Sequence, residues 1–263
     1  MKNILLLLSL CCLGSAVAQA AVQGREVSYE ADGTTLKGYL AYDDAIKGKR
    51  PGVLVVHEWW GLNDFAKDRA EKLAGLGYVA LAADMYGNGR TTTDREEAAK
   101  LAALRETPAL LRARAQAALK VLADDPRVDP KRLAAIGFCF GGTTVLELAY
   151  SGADLAGVVS FHGGLPKTAP DDLKRIKAAI LVLHGADDPH VSAADLNAFE
   201  QAMRQAGADW QIVFFGGAVH GFTNPAAGNN KSSGVAYDAP AARRSWQYVQ
   251  DFFREIFAVK GHD

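Results

Sequence analysis

AAIGFCFGGTTVLELAY, residues 134–150, is the stretch on which the fold turns. It begins as a short apolar run ending at Phe138, passes through Gly137-Phe138-Cys139-Phe140-Gly141, and continues with apolar residues at helical spacing. That order reads as strand, sharp turn, helix. Glycines two residues before and two after the turn residue let strand and helix approach without a side-chain collision, while the turn residue itself is held in a strained backbone. The layout is that of a nucleophile elbow with Cys139 at its tip, and the equally available plain reading of a lone cysteine is a small buried hydrophobe. On an elbow, Cys139 stands at the N-terminus of the helix, where free N–H groups and the helix dipole favour a thiolate. The N–H of Phe140 then faces an oxyanion on an attacked acyl carbon, and a second donor is expected at or near Trp59, in the loop after the strand over 52–57.

Outward from this turn the chain alternates short runs of Val, Ile, Leu and Ala with longer amphipathic segments. Strands are expected over 26–31, 35–42, 52–57, 78–83, 132–138, 155–161, 178–184 and 210–215. Helices are expected over about 63–76, 108–123, 141–150, 192–206 and 238–257. The first two strands read as a polar-faced hairpin turned at Asp32-Gly33. Later runs such as GVLVV and AILVL are continuously apolar, as in strands covered by helices on both sides. The expectation is therefore an α/β fold: a mostly parallel sheet of about eight strands with helices on both faces and an antiparallel start. In such sheets reactive groups gather at the carboxyl ends of the strands.

The first twenty residues, MKNILLLLSLCCLGSAVAQA, carry one Lys, an apolar run and small residues ending in Ala18-Gln19-Ala20. This is the layout of a cleavable secretory signal, so export to the periplasm or medium is expected, with cleavage after Ala20 and one domain over residues 21–263. Cys11 and Cys12 leave with the leader and Cys139 remains alone, unable to form an intramolecular disulfide. In an oxidising compartment a lone thiol needs a reason, either deep burial or reactivity. Without Lys2 the 29 basic residues fall to 28 against 30 acidic, with both signs interspersed. This argues against nucleic acid or an anionic membrane as the main partner. A monomer acting on a small molecule is expected.

A nucleophile of this type needs a base and a group to orient it, in the chain order nucleophile, acid, histidine. After the strand ending in His184-Gly185 comes Ala186-Asp187-Asp188-Pro189, and after QIVFF comes Gly217-Ala218-Val219-His220-Gly221-Phe222. Both follow a strand's carboxyl end, where a rigid sheet aims loop residues at a shared point. Asp187 reads as a helix-cap residue. His57, His162, His184 and His190 show no zinc-site spacing, since His57-Glu58 opens like a metalloprotease motif but Gly61 stands where its second histidine belongs. Neither metal nor cofactor is expected.

Taken together, HEWWGLND (57–64), ADMYGNG (83–89), GFCFGG (137–142), HGADDPHV (184–191) and AVHGFT (218–223) resemble the dienelactone hydrolase family of the α/β-hydrolase fold. The resemblance runs from about residue 26 to 257. It implies a triad of Cys139 as nucleophile, His220 as base and Asp188 as the group orienting it, with Asp188 selected over Asp187 by the family's spacing. It also implies that Glu58 pairs with the resting cysteine and that Trp59 supplies the second oxyanion donor. On physical grounds alone Glu58 reads as a buried structural carboxylate.

The departures bear on the substrate. Where the founding enzymes hold a substrate carboxylate with two arginines, this chain has Asn88 and Asn224, and Arg90 is the nearby candidate to replace one of them. Loss of two charge-assisted contacts, each worth about 1.5–3 kcal/mol, argues against dienelactone itself. Trp59, Trp60, Tyr86 and Phe222 suggest an apolar, aromatic-lined pocket, with core packing as the plain alternative for each. The expected activity is hydrolysis of small esters or lactones through a thioester acyl-enzyme. The alternatives are a non-catalytic ligand-binding protein on the same scaffold and a thiol sensor, which lacks a resolving cysteine.

Overall fold

The apolar runs form one eight-stranded sheet. The structure, a computed structural model, describes residues 22–258, so the expected leader lies outside the described residues. The strands are β1 (Val22–Ala31), β2 (Thr34–Asp43), β3 (Arg50–Val56), β4 (Val79–Ala83), β5 (Val128–Phe138), β6 (Gly157–Phe161), β7 (Ala179–Gly185) and β8 (Trp210–Phe215). Their order across the sheet is β1-β2-β4-β3-β5-β6-β7-β8. β1 and β2 form the expected hairpin, and Asp32 and Gly33 take φ of 47° and 74°, as a two-residue turn with left-handed central residues requires. β2 also runs antiparallel to β4, and from β4 through β3 to β8 every pairing is parallel.

Strand pleating explains the continuously apolar runs. In β3, Val53 and Val55 point to one face of the sheet while Leu54 and Val56 point to the other. The first face is covered by α1 (Asp64–Gly75) and α7 (Ala239–Ile256), which contribute Ala66, Ala70, Leu73, Val249 and Phe253. The second is covered by α3 (Pro108–Ala123), α4 (Phe140–Tyr150) and α6 (Ala193–Ala206), through Leu111, Leu119, Val145, Phe199 and Met203. Two helices were not expected from periodicity. α2 (Arg95–Ala102) buries only Ala98 and Ala102, too thin a stripe to register, and its start is set by Asp94, whose side chain accepts from the Glu97 N–H. α5 (Pro170–Leu173) is a single turn. No described helix is long and apolar enough to cross a membrane.

The central strands fix the elbow by backbone packing. A Cβ on Gly137 would lie 1.9 Å from the Gly141 carbonyl oxygen, and one on Gly141 would lie 2.2 Å from the Val56 carbonyl oxygen. The start of α4 is thus pressed against the ends of β5 and β3, and only glycine permits it. Further along α4, the buried Glu147 accepts from Arg112 Nε of α3 at 2.7 Å, and the same guanidinium donates to Asp172 Oδ2 of α5 at 2.7 Å. Gly141→Ala is expected to destabilise the protein by about 3 kcal/mol, the upper end of the usual overpacking cost, because the obstacle is backbone. Urea unfolding of the variant against wild type measures it; an unchanged midpoint would show that the strand ends yield.

Candidate active site

Cys139 sits between β5 and α4 with φ 53° and ψ −112°, a conformation that L side chains rarely adopt. Its N–H donates to the Phe161 carbonyl at the end of β6 at 3.0 Å, and its own carbonyl accepts from Thr143 in the first turn of α4 at 3.2 Å. The backbone is therefore held from both sides while the side chain is free to point away from the sheet. Its sulfur lies 3.1 Å from His220 Nε2, and His220 Nδ1 lies 2.9 Å from Asp188 Oδ2.

Two loops make that alignment. The loop after β7 and the loop after β8 touch so closely that a Cβ on Gly185 would lie 2.5 Å from the Ala218 carbonyl oxygen, and the Asp187 N–H donates to that carbonyl at 3.0 Å. Asp188 faces the site, and Asp187 is exposed and spends its backbone N–H on the loop contact; it does not cap a helix, since α6 is capped by Ser192. The His220 backbone is held on both sides by the following segment. Its N–H donates to the Gly234 carbonyl at 3.1 Å and its carbonyl accepts from Ala236 at 3.0 Å. The 223–236 segment thus braces the histidine.

Electrostatics follow from burial and partners. Burial alone opposes a charge on His220, but the hydrogen bond to Asp188, followed by the contact with Cys139, outweighs it and pushes the imidazole up to about 10. Burial likewise works to raise Asp188, yet the His220 contact, aided by the His190 N–H, holds its carboxyl below the usual range. Behind this pair the fully buried His162 stands edge-on to His220 at 5.1 Å, with its Nε2 at 2.8 Å from Thr223 Oγ1. Burial drives His162 well below the ordinary histidine range, so it presents a neutral ring there. Sequence reasoning gave His162 no role. Its only local signal is the pair of glycines that follow it, and the unusual φ of 39° is visible only in three dimensions.

The oxyanion side is built on His57. Its Nδ1–H donates to the Glu58 carbonyl at 2.5 Å and its Nε2 accepts from the Met85 N–H at 3.3 Å, which sets a single neutral tautomer. Burial lowers its pKa to about 4, so the tautomer persists at neutral pH. Tyr86 Oη donates to the Trp59 carbonyl at 3.0 Å, fixing the next peptide. The loop carrying Tyr86 is tied by the buried Asp84 carboxylate, which accepts N–H groups from Lys37, Tyr86, Gly87 and Gly89 at 2.8–3.0 Å. Among the described residues the Trp59 N–H has no internal acceptor, and the Phe140 N–H, first in α4, is one of the four that a helix leaves free.

Several expected substrate contacts lie elsewhere. Glu58 is buried and accepts from Asn224 Nδ2 at 2.6 Å, while the Cys139 sulfur is directed at His220, so the glutamate–cysteine pair implied by the resemblance is not the arrangement seen. Burial raises the Glu58 carboxyl, opposed by the Asn224 hydrogen bond and by His220 and Arg69. Asn224 is itself buried, and its Oδ1 accepts from the Ala226 N–H at 2.9 Å, so both ends of its amide are engaged. It holds Glu58 in place of lining the pocket. Arg90 does not replace a missing arginine: its exposed guanidinium is paired with Glu97 at 2.7 Å. Asn88 is an exposed turn residue with φ 54° whose N–H donates to the Thr35 carbonyl. Phe222 is fully buried against Phe215 and His162, a core residue. Tyr86 is nearly buried against His57 and Phe140, which leaves Trp59 and Trp60, half-buried with rings 4.7 Å apart, as the aromatic surface beside the site.

An elbow at a strand end, with an acid loop and a histidine loop after later strands, defines an α/β-hydrolase fold. The model of the dienelactone hydrolase family matches residues 36–257, and the chain belongs to that family. A solved structure named m3DLH shares 46% identity, covers 90% of this chain with 100% of its own, and superposes with a TM-score of 0.88. A dienelactone hydrolase-like promiscuous phosphotriesterase from metagenomic libraries shares 44% identity at a TM-score of 0.87, again over 90% of this chain and 100% of its own. Among curated relatives, a protein of Synechocystis sp. named "Putative carboxymethylenebutenolidase" is 31% identical over 237 residues, 83% of this chain and 91% of its own length. The chain is thus an enzyme of the ester- and lactone-hydrolase kind.

The paired groups link stability to pH with a definite sign. His220 is raised from 6.5 to about 10, so its contribution is complete below 6.5 and is lost as pH rises toward about 10. Asp188 is lowered, so its contribution is present above 3.8 and is lost as pH falls through the depressed value. The stability advantage of wild type over His220→Gln is therefore expected to be largest between these limits and to shrink steadily on the alkaline side. Thermal unfolding midpoints across pH test this, and a difference that stays flat up to pH about 10 contradicts the pairing.

Proposed function

We propose that this chain is an exported, monomeric hydrolase of small esters or lactones in which Cys139, His220 and Asp188 act as nucleophile, base and orienting acid. The observation that carries the reading is the continuous alignment of Cys139 Sγ, His220 Nε2, His220 Nδ1 and Asp188 Oδ2, with steps of 3.1 and 2.9 Å, on a strained turn beside two available N–H donors.

The sulfur attacks the acyl carbon and the carbonyl electron pair moves to oxygen, where the N–H groups of Phe140 and Trp59 stabilise the charge. Collapse expels the alkoxide, which takes the proton from His220 Nε2 and leaves a thioester on Cys139. The thioester carries no charge, so one of the groups that kept His220 protonated has vanished and Nε2 is free to accept a proton from water. Hydroxide attack and collapse release the acid and restore the thiolate with its imidazolium. Because a thiolate is also a good leaving group, activated esters and enol lactones suit this site better than amides.

Glu58, held by Asn224, is a fixed partly raised carboxyl beside the site, suited to shaping the field around the sulfur without bonding to it in this arrangement. Dienelactone is disfavoured as substrate, because Asn88, Arg90 and Asn224 supply no free cation for its carboxylate. Trp59 and Trp60 favour an apolar or aromatic substituent instead.

Burst kinetics on an activated aryl ester test the reading. Wild type is expected to release about one equivalent of phenolate per chain before steady state, Cys139→Ala to show no burst, and His220→Ala to lose about 10²–10⁴-fold in turnover. A full burst from Cys139→Ala sinks the proposed nucleophile. Export has its own check: the protein recovered from the periplasm or medium of its producing cell is expected to begin at Ala21, and an intact cytoplasmic chain beginning at Met1 would refute the leader.

A further inference from the structure

His190 has no part in the proposed ester chemistry, yet it stands at the edge of the catalytic group. It follows Asp188 by two residues, its backbone N–H donates to Asp188 Oδ1 at 2.8 Å, and its exposed ring meets that of His220 edge-on with centroids 4.8 Å apart. One ligand atom from each of Asp188, His190 and His220 lies within 4.8 Å of the other two.

We propose that Asp188, His190 and His220 form a binding site for a borderline divalent transition-metal ion such as Zn²⁺, and that the bound ion switches ester hydrolysis off. The second half rests on His220 being the base. Two imidazoles and a carboxylate make a three-ligand set of the kind that holds zinc with an open fourth position. Metal bonds of about 2.0–2.2 Å place tetrahedral ligands about 3.3–3.6 Å apart. Asp188 Oδ2 and His220 Nδ1, at 2.9 Å, are slightly closer than that and part by about 0.5 Å to admit the ion. The remaining closure falls on His190, the exposed member of the three. Such a donor set selects Zn²⁺, Ni²⁺ or Cu²⁺ over Mg²⁺ and Ca²⁺, which prefer all-oxygen sites.

Inhibition follows from proton placement. In the resting site His220 Nδ1 carries the hydrogen directed at Asp188. A metal ion at Nδ1 takes that lone pair and releases one proton to solvent, and the neutral ring then carries its remaining hydrogen on Nε2. That nitrogen faces the Cys139 sulfur, so the ring no longer has a lone pair with which to accept a proton from water after acylation. The sulfur lies on the opposite edge of the ring from Asp188, so the site needs no thiolate ligand.

Two measurements test the proposal. Zn²⁺ is expected to inhibit aryl-ester hydrolysis by wild type reversibly, with EDTA restoring the rate and Mg²⁺ without effect. His190→Gln is expected to keep the uninhibited rate and to require well over 100-fold more Zn²⁺, beyond the roughly 10–100-fold that loss of an outer-shell partner costs. Calorimetric titration of Zn²⁺ into Cys139→Ala is expected to show one site per chain, absent from Cys139→Ala/His190→Gln. Equal inhibition of wild type and His190→Gln, or no binding to Cys139→Ala, would place the metal on the thiolate and overturn the site. The calorimetry decides the metal site even if wild type hydrolyses no ester, so it separates failure of this inference from failure of the hydrolase reading.

Discussion

Everything at the site depends on one backbone constraint, the left-handed turn at Cys139 between β5 and α4. Its cost, of order 1–3 kcal/mol for a non-glycine residue, persists only because the surroundings over-determine it. Here they do so with Gly137 and Gly141, which bring the carbonyls of α4 and β3 within distances no other residue tolerates, and with the hydrogen bond from the Cys139 N–H to the end of β6. The same contacts that strain the turn aim its side chain away from the sheet and its helix N-terminus toward the reacting atoms. Neighbouring β3 is followed directly by His57, whose two ring nitrogens rivet the loop that presents Trp59. Nucleophile and oxyanion donors are therefore parts of one rigid unit.

The histidine side is assembled differently, by two loops that are weak alone and firm together. The turn after β7 and the turn after β8 interlock through Gly185 and Ala218, and the 223–236 segment closes around the His220 backbone. With Asp188 on one nitrogen and Cys139 on the other, His220 is held in a charged state that burial by itself would forbid. The Asp188 hydrogen bond is the larger part of that balance and the Cys139 contact the smaller. The exposed face of the same dyad is where His190 approaches, and a residue placed there reaches the dyad without entering the pocket.

Position 224 carries one of the two departures from the resemblance. At position 224 an amide occupies a place where the resemblance leads one to look for a cation, and it spends both ends internally, on Glu58 and on the Ala226 N–H. A buried carboxylate left without that donor would be costly, so Asn224 and Glu58 form a unit. Arg90, the other nearby cation by sequence, is drawn to Glu97 at the start of α2, an element whose thin alanine stripe hid it from periodicity.

The sequence by itself determined what local chemistry and periodicity control. Among the described residues all eight strands, five of the seven α-helices, the Asp32-Gly33 hairpin and the elbow at Cys139 are legible because each rests on residues within a few positions of one another. The order of acid and histidine loops pointed to Asp188 and His220, and resemblance chose between Asp187 and Asp188. Only the tertiary structure decided which groups meet: Asn224 with Glu58 across 166 residues, His162 behind His220, His190 beside it, and Phe222 in the core. The reason is physical. Chain spacing sets the direction of a side chain within a strand or helix, but for a loop residue the partner is set by how separate strand ends pack, and that information is distributed over the whole sheet.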